Sequence, residues 1–312
     1  MTSSEHAVAA VRDLLRGRLV AAALTPFRTD ATIDRAAVAG YAAALRAGGA
    51  GAIAVGAHTG RGAHLDPADL GWLVGEYSQA AELPVVAGLA VRGGRTQDDV
   101  LRLAVRLRTA GAAALLVSPI AGSSPEATVK LHERLGAEVG LPLVVFVLYK
   151  RASGCQYDAD TVAALLRLPW VCGVKLALLD DAIGCQDILA TARRTSPDTL
   201  LLTGEDRMYG PSLMWGADSA LVGIAAAVPS WSVAVLDAWT RQDLPRFVAA
   251  SARLDALARL TFTEPMEGYV QRMAWVAAWQ GILPDAVAVD PYAPPLPGDE
   301  RDRLIRALER LA

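Results

Sequence analysis

Eight short apolar runs recur along the 312 residues, each beginning after a Gly, Pro or polar turn and each followed by a longer stretch with helical spacing. Their centres fall near Val20, Ile53, Val86, Leu116, Val145, Val174, Leu201 and Leu221, at separations of 33, 33, 30, 29, 29, 27 and 20 residues. Such separations suit a strand, a helix and two short loops per unit, which is what returning each strand parallel to the last requires. The runs are apolar on both faces, as parallel strands covered by helices must be. Segments between them, such as Arg35 to Arg46 and Thr96 to Arg108, have the spacing of amphipathic helices. Asp30 and Asp158 are expected to start helices. The count predicts an α/β fold of the (β/α)8 TIM-barrel type. A doubly wound open sheet is the alternative, but no GxGxxG follows an early strand to support it.

The expected division is an N-terminal helical extension over residues 1–18, the barrel over 19–228, and a C-terminal helical region packed on the barrel over 229–312. In that last region Trp231, Trp239, Phe247, Leu254, Tyr269, Trp275 and Trp279 are expected in the core or at a subunit contact, since aromatic side chains bury large area. Asp290 to Pro297 is an extended connector before a final charged helix. Thirty basic against thirty-three acidic residues give a net charge of −3, with no basic tail or stripe to favour nucleic acid or an anionic membrane. A small molecule is the expected partner. Cys155, Cys172 and Cys185 are odd in number and lack zinc-ribbon spacing, so they are expected as reduced thiols without chemistry. His6, His64 and His132 show no metal-ligand spacing. With no long apolar region near the start and no unbroken run of membrane length, the expected location is the cytoplasm.

Lysine is rare here. It occurs only at 130, 150 and 175, so 27 of the 30 basic residues are arginine. Yet Lys175 lies in the sixth apolar run, Val171 to Leu179. Strand alternation puts Gly173, Lys175 and Ala177 on one face and Val174, Leu176 and Leu178 on the other. If the bulky face packs on helices, Lys175 points into the barrel near the carboxyl end of its strand, where barrel enzymes place their chemistry. Desolvation there favours the neutral amine, which can attack a ketone and form a Schiff base; an arginine cannot. The alternative is a strand-end lysine that reaches solvent or pairs with Asp180 or Asp181.

Several fragments, in order, resemble one family: Ala22 to Phe27 (AALTPF), His58-Thr59-Gly60, Leu83 to Gly88 (LPVVAG), Val117-Ser118-Pro119, Gly173-Val174-Lys175 and Gly204-Glu205-Asp206. The chain resembles the dihydrodipicolinate synthase and N-acetylneuraminate lyase superfamily of Schiff-base aldolases and dehydratases, from about residue 18 to the end. The resemblance implies an imine-forming Lys175, 2-oxo acid substrates, no metal or organic cofactor, and a homo-oligomer, a dimer or a tetramer of paired dimers. It also implies that the turn at His58, Thr59 and Gly60 binds a carboxylate through hydroxyl and backbone N–H donors, which the cationic side chains of His58 and Arg61 would strengthen. Leu221 on the eighth strand belongs to the same expected substrate contacts.

The match also fails in places. Where the family's fourth strand ends in Pro-Tyr-Tyr, this chain has Pro119-Ile120-Ala121. Where the fifth carries Tyr-Asn-Val-Pro-x-Arg, counting forward from Leu141-Pro142 puts Phe146 at the tyrosine and counting back from Lys175 puts Val147 there. Neither moves a proton. A two-residue deletion instead aligns Leu148-Tyr149 with the family's Leu-Tyr and leaves Arg151 near its arginine. Tyr149, taken to share the strand face of Val147, is then the expected proton relay, or else a rim tyrosine at an interface. These departures disfavour dihydrodipicolinate synthesis itself more than imine formation, which needs only an amine, a carboxylate grip and some acid or base. A non-catalytic relative that binds an oxo acid or serves as a partner subunit is the other reading. A flavin-dependent barrel is disfavoured because the loops after the last two strands carry too little Gly and Arg for a phosphate clamp.

Overall fold

A computed structural model describes residues 3–90 and 96–311. In chain order, α1 (Ser3–Leu15) precedes β1 (Leu19–Ala22), followed by α2 (Arg35–Ala47), β2 (Ala52–Val55), α3 (Pro67–Ala81), β3 (Val85–Leu89), α4 (Gln97–Thr109) and β4 (Ala114–Val117). Next come α5 (Pro125–Arg134), β5 (Leu143–Leu148), the one-turn α6 (Lys150–Ser153), α7 (Ala159–Leu166), β6 (Val171–Ala177), α8 (Ala182–Thr195), β7 (Leu200–Thr203), α9 (Tyr209–Met214) and β8 (Ser219–Val222). The chain ends in α10 (Pro229–Thr240), α11 (Leu244–Thr261), α12 (Tyr269–Trp279) and α13 (Glu300–Leu308). All eight expected strand centres lie within these strands. Each strand pairs parallel with the next, and β8 returns to β1 with Val20 opposite Leu221. The sheet is therefore a closed barrel, and the open alternative is excluded.

Helix starts follow side-chain capping, with one correction. Asp158 accepts the Thr161 N–H at 2.8 Å and caps α7 as expected. Asp30 does not start a helix: its carboxylate accepts the N–H of Thr32 at 3.0 Å and closes a turn in which Ala31 has φ 65°. Asp34 takes the capping role instead, accepting the Ala37 N–H at 3.2 Å. The left-handed Ala31 backbone interrupts any helix begun at Asp30, so the first usable cap lies four residues later.

Two apolar layers result. Outward residues such as Val145, Val147, Val174 and Leu176 pack on the helices, whereas Val20, Ala54, Val86, Leu116, Phe146, Leu202 and Leu221 fill the barrel interior. Val8, Val11 and Leu15 of α1 join the interior set, and Arg12 donates to the carbonyls of Val171 and Cys172 at 3.1 and 3.0 Å. The N-terminal helix thus plugs the bottom of the barrel. On β6 the ladder to β5 slips: Val171 opposes Leu143, Gly173 opposes Val144, and Cys172 is the extra residue. This bulge lets Cys172 face the interior even though Lys175 and Ala177 also do.

Beyond the barrel, α10 packs on β1 and α11, and the chain returns through a tight turn at Met266–Gly268 into α12, which packs on the loop after β8. Arg272 is almost wholly buried; it pairs with Glu300 at 2.5 Å and donates to the carbonyl of Thr263 at 2.8 Å, pinning that turn. The turn is held across the C-terminal end of the barrel. Among the described residues no helix is long and apolar enough to cross a membrane.

Candidate active site

Lys175 is 5% exposed, and its Nζ lies 4.1 Å from the centre of the Phe146 ring, its ladder partner on β5. Of the two positions reached by counting, Phe146 is the one level with the amine, whereas Val147 opposes Leu176 and packs outward. Burial pulls the amine below the ordinary lysine value of 10.5, while the carboxylates of Asp206 and Glu205 at the end of β7 act against that shift. Burial raises both carboxyls in turn. Asp206 accepts the Ile224 N–H at 2.7 Å; Glu205 accepts the N–H groups of Leu178 and Leu179 and the Cys185 thiol. The acids acting on Lys175 are thus these two and not Asp180 or Asp181, the partners of the alternative reading; Asp181 caps α8 through the Gly184 N–H. Gly204 matters here because a Cβ would stand 2.5 Å from Lys175 Cε. The fixed carbonyl oxygen of Leu176, 2.5 Å from the same Cβ, is what demands glycine there.

The turn after β2 brings His58, Thr59, Gly60 and Arg61 to the same end. Thr25 donates its hydroxyl to the Gly60 carbonyl at 2.7 Å, and a Cβ on Gly60 would lie 2.8 Å from the Ala23 carbonyl oxygen. The Thr59 hydroxyl is 3.1 Å from that of Tyr269. Gly223, after β8, lies between Thr59 and Asp206: a Cβ there would meet Thr59 Oγ1 at 3.0 Å and Asp206 Oδ2 at 3.3 Å.

One carboxylate organises the rim. Glu267 Oε1 accepts the Tyr149 hydroxyl at 2.5 Å, Oε2 lies 3.0 Å from His58 Nε2, and Arg61 Nη1 donates to Oε2 at 3.1 Å. Arg61 also donates to the Glu267 carbonyl at 2.9 Å and clasps Asp290 through Nε at 3.1 Å and Nη2 at 2.6 Å. Burial by itself would raise the Glu267 carboxyl, but the His58 and Tyr149 hydrogen bonds and the Arg61 charge prevail and hold it at about 2. Burial, together with Tyr269 and Glu267, pushes the Tyr149 phenol far up, so it keeps its proton. Burial would weaken the Arg61 cation, yet Asp290 and Glu267 keep it charged.

These contacts revise several expectations. His58 and Arg61 do not present free cations to a ligand, because Glu267 and Asp290 engage them. Tyr149 does not share the face of Val147: β5 ends at Leu148, the backbone turns into α6, and Tyr149 joins the interior set while Val147 packs outward. Arg151 is largely exposed and bonds to Glu264 at 2.8 Å. Leu221 is fully buried beside Val20, deep in the barrel. Tyr269, expected as a core aromatic, stacks on Phe262 at 4.7 Å but also turns its hydroxyl to Thr59.

A cavity of about 420 Å³ opens over this end of the barrel, with His58, Arg61, Glu267, Leu148 and Arg151 in its wall. Lys175 is not part of that wall. Leu148 opposes Ala177, one inward level above the Phe146–Lys175 pair, a step of roughly 7 Å along a strand. The amine therefore lies one layer below the cavity. Glu267, Asp290 and the paired role of Tyr269 carry no local sequence signal; Asp206 lay in a recognised fragment, but nothing in it pointed to Lys175.

A closed parallel barrel with a buried lysine on its sixth strand and a polar cluster over its C-terminal end has the layout in which barrel enzymes hold their chemistry. The chain belongs to the dihydrodipicolinate synthetase family, whose family model matches residues 15–311. A 4-hydroxy-tetrahydrodipicolinate synthase of Stenotrophomonas maltophilia (strain K279a) is 29% identical over 206 residues, 65% of this chain and 67% of the relative. Among solved structures, YagE, a prophage protein of the dihydrodipicolinic acid synthase family from E. coli K12 in complex with pyruvate, is 19% identical with a TM-score of 0.85, covering 94% of this chain and 98% of that one. KD(P)GA from T. tenax is 21% identical with a TM-score of 0.77, covering 94% and 98%. At these identities the structural likeness establishes the fold.

Proposed function

We propose that this protein is a class I lyase, of aldolase or dehydratase type, in which Lys175 forms a Schiff base with a pyruvate-like 2-oxo acid. The single observation that carries this is an amine enclosed near the carboxyl end of β6, where burial favours its neutral form. The activity named for the Stenotrophomonas relative and the pyruvate named in the YagE structure support it. The neutral amine attacks the ketone carbon, the carbonyl oxygen leaves as water after taking up one proton, and the resulting iminium accepts the electron pair of the carbon–carbon bond that breaks, or of the C–H bond broken before dehydration. Thr59 and the backbone of Gly60 hold the substrate carboxylate beside Gly223. Tyr149 is the proton relay, passing its hydroxyl proton to the departing oxygen and taking one back from water, while Glu267, itself bonded to His58, orients the phenol. Dihydrodipicolinate synthesis is disfavoured because Phe146 faces the amine and Arg151 is bound to Glu264. Residues 19–228 form the catalytic barrel and 229–312 close its mouth, in a cytoplasmic protein.

Borohydride reduction in the presence of pyruvate, followed by peptide mass analysis, tests this. The reduced adduct is expected on Lys175 and absent from Lys175→Ala. An adduct elsewhere, or none, overturns it. The second reading, a non-catalytic relative that binds an oxo acid or partners another subunit, draws on the amine resting over the Phe146 ring where the family has a tyrosine; turnover that Lys175→Ala abolishes eliminates it. The assembly is a homo-oligomer, dimer or tetramer. Light scattering is expected to give a multiple of 32.8 kDa, and a monomer mass ends that part of the proposal.

A further inference from the structure

We infer that the compartment over the barrel mouth takes the distal end of a substrate whose chain is uncharged, alkyl or hydroxylated, and rejects one that ends in a second carboxylate. This deepens the Schiff-base reading and rests on it for the anchored end of the substrate alone. The compartment, at about 420 Å³, falls in the usual range of ligand pockets. Its wall holds two guanidiniums, Arg61 and Arg151, and both are already bonded within the protein. Arg61 serves Asp290 and Glu267; Arg151 serves Glu264. Glu267 itself stands in the wall as a carboxylate, and His58 is turned to it. The two guanidiniums thus have three carboxylate partners, of which Glu267 alone stands in the wall.

An entering anion would meet Glu267 directly. To bind that anion, Arg61 would have to release Asp290, leaving a buried carboxylate without its partner, a costly exchange. Arg151 is too exposed to compensate, because water and salt screen its charge. Uncharged chains meet no such opposition: Ile120 and Leu148 offer apolar surface, and Ser118 offers a hydroxyl.

The test compares 2-oxopentanoate with 2-oxoglutarate, which have equal carbon counts and differ in the distal carboxylate. Calorimetric titration of the untreated protein is expected to favour 2-oxopentanoate by at least about tenfold. In Glu267→Gln the preference is expected to fall to about threefold or less, since the opposing charge is gone. Equal or tighter binding of 2-oxoglutarate by the natural protein overturns the inference, as does an unchanged ratio in Glu267→Gln or binding of neither acid. Borohydride trapping of pyruvate runs alongside. Failure to trap strikes the Schiff-base reading, while a trapped imine with an equal or inverted calorimetric ratio strikes the compartment inference alone.

Discussion

Lys175 combines three local conditions: small neighbours at Gly173 and Ala177, an aromatic ring beneath its amine, and a glycine at 204 where any side chain would collide with its stem. Burial disfavours the ammonium, so the reactive neutral amine is reached at lower pH than for a solvated lysine. The rate of pyruvate trapping is accordingly expected to rise with pH through a midpoint below 10.5. Asp206→Asn removes an anion that favours the ammonium and is expected to move the midpoint further down; trapping that ignores both pH and this change refutes the assignment. The lysine was legible because alternation is a property of adjacent residues and lysine is scarce in this chain. Which residue stands level with it was not legible, since a one-residue bulge at Cys172 leaves no clear mark on the apolar pattern. Tyr149 was misplaced for a related reason: alternation stops holding where the strand ends.

At the scale of elements, each βα unit is stabilised by burying both faces of its strand, and one helix carries an unusual burden. His132 of α5 is 1% exposed; its Nδ1–H donates to the Thr128 carbonyl at 2.8 Å, and its Nε2 has no hydrogen-bond partner. Burial depresses its pKa from 6.5 to about 4. The unfolded chain therefore takes up this proton near pH 6.5 while the folded chain resists until about pH 4. Stability present above pH 6.5 is lost as pH falls through that window, by up to roughly 3 kcal/mol. Urea unfolding at pH 7 and pH 4.5 is expected to show a smaller acid loss for His132→Phe than for the natural protein. Equal losses in the two proteins would exclude this role. The helices themselves were legible from their spacing, whereas the start of α2 was not, because Asp30 and Asp34 are both good caps and only the backbone at Ala31 chooses between them.

For the whole molecule, one contact that joins barrel to C-terminal region is the Arg61–Asp290 pair, both members buried, extended by Glu267. Breaking one side leaves an uncompensated charge in a low-dielectric setting. Asp290→Ala is expected to cost roughly 3–5 kcal/mol in denaturant unfolding, and the double change Arg61→Leu with Asp290→Leu much less. Additive losses would show that the two residues act separately.

Strand number, parallel closure and the inward lysine were readable because each depends on periodicity among neighbours, which a linear chain displays openly. The mouth of the barrel was not. Glu267 meets Tyr149, Arg61 and His58 across 118, 206 and 209 residues, and a lone glutamate in a Pro-Met-Glu-Gly turn has no local propensity that distinguishes it from any solvated acid. Its protonation, its partners and the charge it gives the compartment arise only when the closed barrel and the returning α12 bring distant segments within hydrogen-bonding distance, where exclusion of water makes each contact count.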